Sequence, residues 1–155
     1  MTKIEHLENI ALEEDIHIYD FPFSKDKKAT CYLEPGGLKA ILMDEAKIAS
    51  QAERVMVLAE EIGHFATDAV YVIEATANTG AARSSRAKYE AQAARWATRK
   101  VLPAKEILDC WGKGITDPWE MSEELSFDRD YIDRAVRFYR STGELPQDWE
   151  MEGVV

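Results

Sequence analysis

Long apolar runs are missing from this chain. None approaches the ~20 residues that a membrane-spanning helix needs, and the first residues carry no signal-peptide core. Together these absences predict a cytoplasmic protein with no membrane contact. Cysteine is scarce: Cys31 and Cys110 are the only two, far apart and outside any CxxC spacing. That pattern argues against a thiolate metal site and for two buried free thiols rather than a disulfide. Cations are also in deficit, with 19 Lys and Arg against 29 Asp and Glu, a formal net charge of −10. A surface that grips a nucleic-acid backbone needs clustered Lys and Arg, so no direct nucleic-acid partner is expected. An anionic membrane is disfavoured for the same reason. There is no Gly-rich phosphate loop and no Ser or Cys nucleophile in a recognisable setting. Histidine occurs three times, as His6, His17 and His64.

What is present is the composition of an ordinary globular protein, 46% hydrophobic and 31% charged over 155 residues. Thr2 can cap a first helix whose Ile4, Leu7, Ile10 and Ala11 form one apolar stripe. Ile16 to Phe21 alternates as a half-buried strand does, and Ala29 to Leu33 and Leu38 to Met43 read as two more strands. Pro35-Gly36-Gly37 marks the turn between the last two. The short connections predict an antiparallel meander. Tyr71-Val72-Ile73 suggests a further short strand, and Thr76 to Ser85 reads as a loop between helices.

The most informative stretch runs from Ser50 to Ala66. Ser50 is a plausible N-cap, and Val55, Ala59, Ile62 and Ala66 recur at helical spacing, which predicts a buried amphipathic helix. Inside it lies Glu60-Glu61-x-x-His64. Residues four apart stack on one helix face, so Glu60 and His64 present two metal-ligand types side by side. Glu61 sits where the general base of an HExxH metallopeptidase would sit. A second helical stretch follows, with Tyr89, Ala93, Trp96 and Ala97 on one face and Leu102-Pro103 at its end.

Taken together, Leu58-Ala59-Glu60-Glu61-Ile62-Gly63-His64 and Glu90-x-x-Ala93-x-x-Trp96-Ala97 resemble the active-site pair of the ImmA/IrrE metallopeptidase family. The resemblance covers most of the chain up to about Pro103, and Glu60 stands where many members have His. It implies an α+β, zincin-like minimal metallopeptidase fold: a small antiparallel sheet packed on the motif helix, with a helical C-terminal part. It also implies a metal site of Glu60, His64 and Glu90, with Glu61 as catalytic base. Zinc is the implied metal. Two carboxylates and one imidazole make the site harder, so manganese or iron competes better than at a two-His site, and an empty site is the alternative. The implied activity is a cytoplasmic endopeptidase that cleaves a helix-turn-helix repressor of a phage or other mobile element. The competing reading is a non-catalytic module that keeps the fold and regulates a repressor by complex formation. Tyr71, Tyr89 and Arg83 are alternative oxyanion donors, and Arg83 or Arg86 would pair a carboxylate were the site metal-free.

On this reading residues 1–115 form the metallopeptidase-like domain, 116–143 a C-terminal helical pair packed on it, and 144–155 an acidic tail. Pro103 opens one helix and the Gly112–Gly114 pair closes it. Asp117-Pro118 starts the next, and Ser126 is the expected cap of a last helix carrying Phe127, Tyr131, Ala135, Phe138 and Tyr139 and ending at Gly143.

Overall fold

The computed structural model describes residues 1–67 and 80–147, the side chains of 80–85 excepted. The chain is α+β, with six α-helices and one three-stranded sheet among the described residues, and it divides into two compact units, Met1–Ala97 and Thr98–Val155.

The first unit opens with α1 (Lys3–Glu13). Its start is fixed by a reciprocal cap: the Glu5 N–H donates to Thr2 Oγ1 at 3.2 Å, and the Thr2 N–H donates to Glu5 Oε2 at 2.7 Å. Leu7 and Ala11 form its buried stripe. Asp15, left-handed at φ 55°, turns the chain into β1 (Ile16–Asp20). β2 (Ala29–Leu33) and β3 (Lys39–Met43) complete a sheet of order β1-β3-β2.

The sheet is mixed, which corrects the antiparallel meander expected from connection lengths. β3 pairs antiparallel with β2 but parallel with β1. The β2–β3 hairpin is as expected, turning at Gly37 with φ 95°. The β1–β2 connection, in contrast, does not join neighbours; it crosses the end of β3. There the Phe21 N–H donates to Met43 O and the Asp44 N–H to Lys28 O, both at 2.8 Å. Asp44, buried, accepts the Phe23 N–H at 3.0 Å. The Lys47 ammonium donates to Phe23 O at 2.7 Å and also to Lys25 O. An ammonium and a carboxylate thus hold the crossing loop at its backbone, a device that connection length alone does not reveal.

Alternation along the strands sends Ile16, Cys31, Ile41 and Met43 into the core and leaves His17, Tyr19 and Tyr32 exposed. On the core side, α1 packs on β1 and α2 (Gln51–Ala66) on β2. Ser50 caps α2 by accepting the Glu53 N–H at 3.1 Å, and Val55, Leu58, Ala59 and Ile62 are buried along it. α3 (Gly80–Val101) follows. It begins earlier than expected: residues 80–85, read as loop, are helical, in keeping with the helix-forming Ala81, Ala82 and Arg83. The suggested strand at Tyr71–Ile73 lies outside the described residues, as does most of the expected acidic tail.

The second unit holds α4 (Ala104–Gly112), α5 (Pro118–Leu125) and α6 (Arg129–Thr142), with α4 contacting both others. Asp117 caps α5 by accepting the Trp119 N–H at 2.7 Å, with Pro118 opening the first turn. Ser126 does not cap the last helix. It ends α5 in the left-handed region at φ 56°, and Asp128 is the N-cap of α6. The reason is Phe127, which is buried in the link between the two helices instead of lying on α6. Both cysteines are free and buried.

Tyr139 on α6 donates its hydroxyl to Leu102 O at 2.8 Å inside this unit. Tyr139→Phe leaves that carbonyl without its buried donor, an expected loss of about 1–2 kcal/mol in urea-denaturation stability. A change within experimental error would show that solvent already satisfies this carbonyl.

Candidate functional site

Three of the four side chains singled out from sequence lie on α2. Its aliphatic stripe packs inward, and His64, two residues after Ile62, is carried in with it: its side chain is only 4% exposed. Glu60 and Glu61 are part-buried. Glu90 comes from α3, and the two helices meet so that His64 Nε2 lies 3.4 Å from Glu90 Oε2. The glutamate is 58% exposed. The pair therefore joins a buried imidazole to a carboxylate that reaches solvent.

Glu61, one turn before His64 on the same helix, also neighbours the sheet. Cys31, central on β2, points inward, and its thiol is a hydrogen-bonding neighbour of the Glu61 carboxyl. The pairing of Lys28 with Glu53 aligns the start of the same strand with the start of the same helix. Burial and the nearby Glu61 carboxylate push the Cys31 thiol up to about 12, so it stays a protonated donor at neutral pH. Burial likewise pushes the Glu61 carboxyl up to about 7; His64 opposes the shift, while Glu90 and Glu60 add to it. A carboxyl in this state can give or take a proton near neutrality.

The structure thus brings His64 and Glu90 together and sets Glu61 beside them. Glu60 sits one helical turn before His64, but among the described residues no three His, Cys, Asp or Glu side chains stand together as a ready-made metal-ligand set. The two that do converge fit a shared cation. Two donors each about 2.0–2.1 Å from zinc at a tetrahedral angle lie about 3.3–3.4 Å apart, and the observed separation is 3.4 Å. A neutral imidazole nitrogen and a carboxylate oxygen are also the donor types that zinc, manganese and iron accept.

The remaining candidates separate. His6 is exposed; His17 is exposed too, with Nε2 3.4 Å from Asp15 Oδ1 and its ring stacked on Tyr19. Tyr89 is part-buried and Arg86 exposed on α3, while Tyr71 and the Arg83 side chain lie outside the described residues. Cys31 was visible in the sequence only as a buried thiol. The signal for more was its inward phase on β2, but nothing local indicates that the neighbour across the packing is Glu61.

The raised Glu61 carboxyl has a consequence for stability. Its folded value, about 7, lies above the ordinary 4.5, so its stabilising contribution is complete below about 4.5 and is lost as pH rises through about 7. With a chelator present, the melting temperature of the wild type relative to Glu61→Gln should fall across that window. Parallel curves for the two proteins would contradict the assignment.

No protein-family model, no curated protein and no solved structure matches this chain.

Proposed function

We propose that this protein is a metal-dependent endopeptidase of the ImmA/IrrE type, zincin-like in fold and cytoplasmic. The observation that carries the reading is the convergence of His64 and Glu90 at 3.4 Å from two helices, with Glu61 alongside. His64 and Glu90 would hold a divalent ion, zinc first and manganese or iron next, with Glu60 as the third ligand. When bound, such an ion polarises a peptide carbonyl and makes a coordinated water more acidic. The chain's own part in the chemistry belongs to Glu61. Its carboxylate accepts a proton from the attacking water and returns it to the leaving amine. Cys31 on β2 neighbours that carboxyl. Burial of the His64 side keeps bulk water away from the imidazole.

The substrate is a protein in extended form, and the family resemblance makes it a helix-turn-helix repressor of a phage or mobile element. Charge supports that choice: a chain of net charge −10 attracts a basic, DNA-binding partner.

A second reading has its own support. Glu in place of His at position 60 lowers the residual charge of a bound ion and with it the polarisation of a carbonyl, which suits a non-catalytic module that binds the repressor without cutting it.

Incubation with a helix-turn-helix repressor encoded near the gene, where the genome carries one, separates the two. The enzyme reading expects cleavage that stops on chelation and drops by about 10²- to 10⁴-fold in Glu61→Gln. It further expects Glu60→His to bind zinc more tightly than the wild type, by equilibrium dialysis with elemental analysis. A stable complex with no cleavage in either protein would favour the module.

A further inference from the structure

We infer that Gly63 is a positioning residue, whose missing side chain lets α3 come close enough to α2 for Glu90 to reach His64. Its backbone conformation does not require glycine: Gly63 is an interior helical residue and is not among the described glycines with positive φ, which are Gly37, Gly114 and Gly143. In a helix interior glycine is poorer than alanine, so space has to be the reason it is tolerated. A Cβ at Gly63 would lie 2.7 Å from the carbonyl oxygen of Ala93, 3.2 Å from its Cα and 3.2 Å from Cε3 of Trp96. The two closest are backbone atoms of α3, so no rotamer change relieves the overlap. Either a helix moves or the side chain does not fit.

This contact adjoins the functional pair. Gly63 precedes His64 directly on α2, and Ala93 lies one turn after Glu90 on α3. Ala93 and Ala97 are fully buried and small, as a close helix approach requires. Displacing α3 at Ala93 carries Glu90 outward with it. Its long, half-exposed side chain can follow a small shift, but then it no longer offers its oxygen at a fixed 3.4 Å. A shared cation requires that distance far more strictly than simple charge attraction does. That the pair acts as metal ligands rests on the proposed function; that Gly63 sets its spacing does not.

The test is a double-mutant cycle read with Co²⁺ alone as probe, followed by absorbance in wild type, Gly63→Ala, Glu90→Ala and the double variant. If Gly63 acts through Glu90, Gly63→Ala weakens Co²⁺ binding by about 10- to 100-fold, as loss of a ligand-orienting group does. It then costs little more once Glu90 is already alanine. Equal losses in both backgrounds, or none in either, overturn the inference. Ala93→Ser, which enlarges a fully buried residue whose backbone meets Gly63, takes the place of Gly63→Ala in the cycle should that variant not fold. Crystal structures of wild type and the substituted variant without metal give an independent readout. A His64–Glu90 separation beyond about 4 Å in the variant, the outer limit of an ion-pair contact, supports the inference, and an unchanged separation overturns it. Should the wild type bind no Co²⁺, the metal reading fails, while the two crystal structures still decide the role of Gly63.

Discussion

Burying an imidazole along an aliphatic helix face creates a demand for a polar partner. His64 is carried inward by the same stripe that buries Leu58, Ala59 and Ile62, and a buried polar group left unpaired costs roughly 1–3 kcal/mol or more. The partner comes from a separate helix, so α2 and α3 have to meet at a defined distance. α2 in turn is placed by the sheet, against which it packs through β2. Strand, helix and second helix are thus tied together around one histidine. Glu61, on the sheet side of that helix, inherits a dry environment from the same packing, which is why its carboxyl holds its proton to near neutrality.

Local features were legible in the sequence because their partners are close in the chain. The Thr2–Glu5 and Ser50–Glu53 caps, the Asp117-Pro118 start and the left-handed Gly143 stop all act within a few residues. Strand phase was legible too, and it put Ile16 inside. Strand order was not. It depends on Asp44 and Lys47 holding a loop some twenty residues away in sequence, an arrangement with no periodic signature. Ser126 shows a different ambiguity: a serine before an aromatic residue suits a helix start, yet here the burial of Phe127 makes it a left-handed stop.

The candidate site divides along the same line. That Glu60, Glu61 and His64 share one helix follows from their spacing. That Glu90 would meet His64 had no basis in spacing and came from the family resemblance alone, while the nearness of Cys31 to Glu61 came from neither. Both are products of packing between elements. The role of Gly63 has no local signature either: the backbone of Ala93 occupies the space a side chain there would need.

Two carboxylates and one imidazole around a dication leave little net positive charge, so the proposed site trades Lewis acidity for a firm hold on a hard cation. The central claim is that His64 and Glu90 are ligands to one ion. Anomalous diffraction at the zinc absorption edge, from crystals grown with the metal, addresses it directly. The account predicts one peak bonded to both His64 Nε2 and a Glu90 carboxylate oxygen, with Glu60 turned to join them. Zinc saturation with no peak there, and His64 still paired to Glu90 as it is without metal, would contradict it.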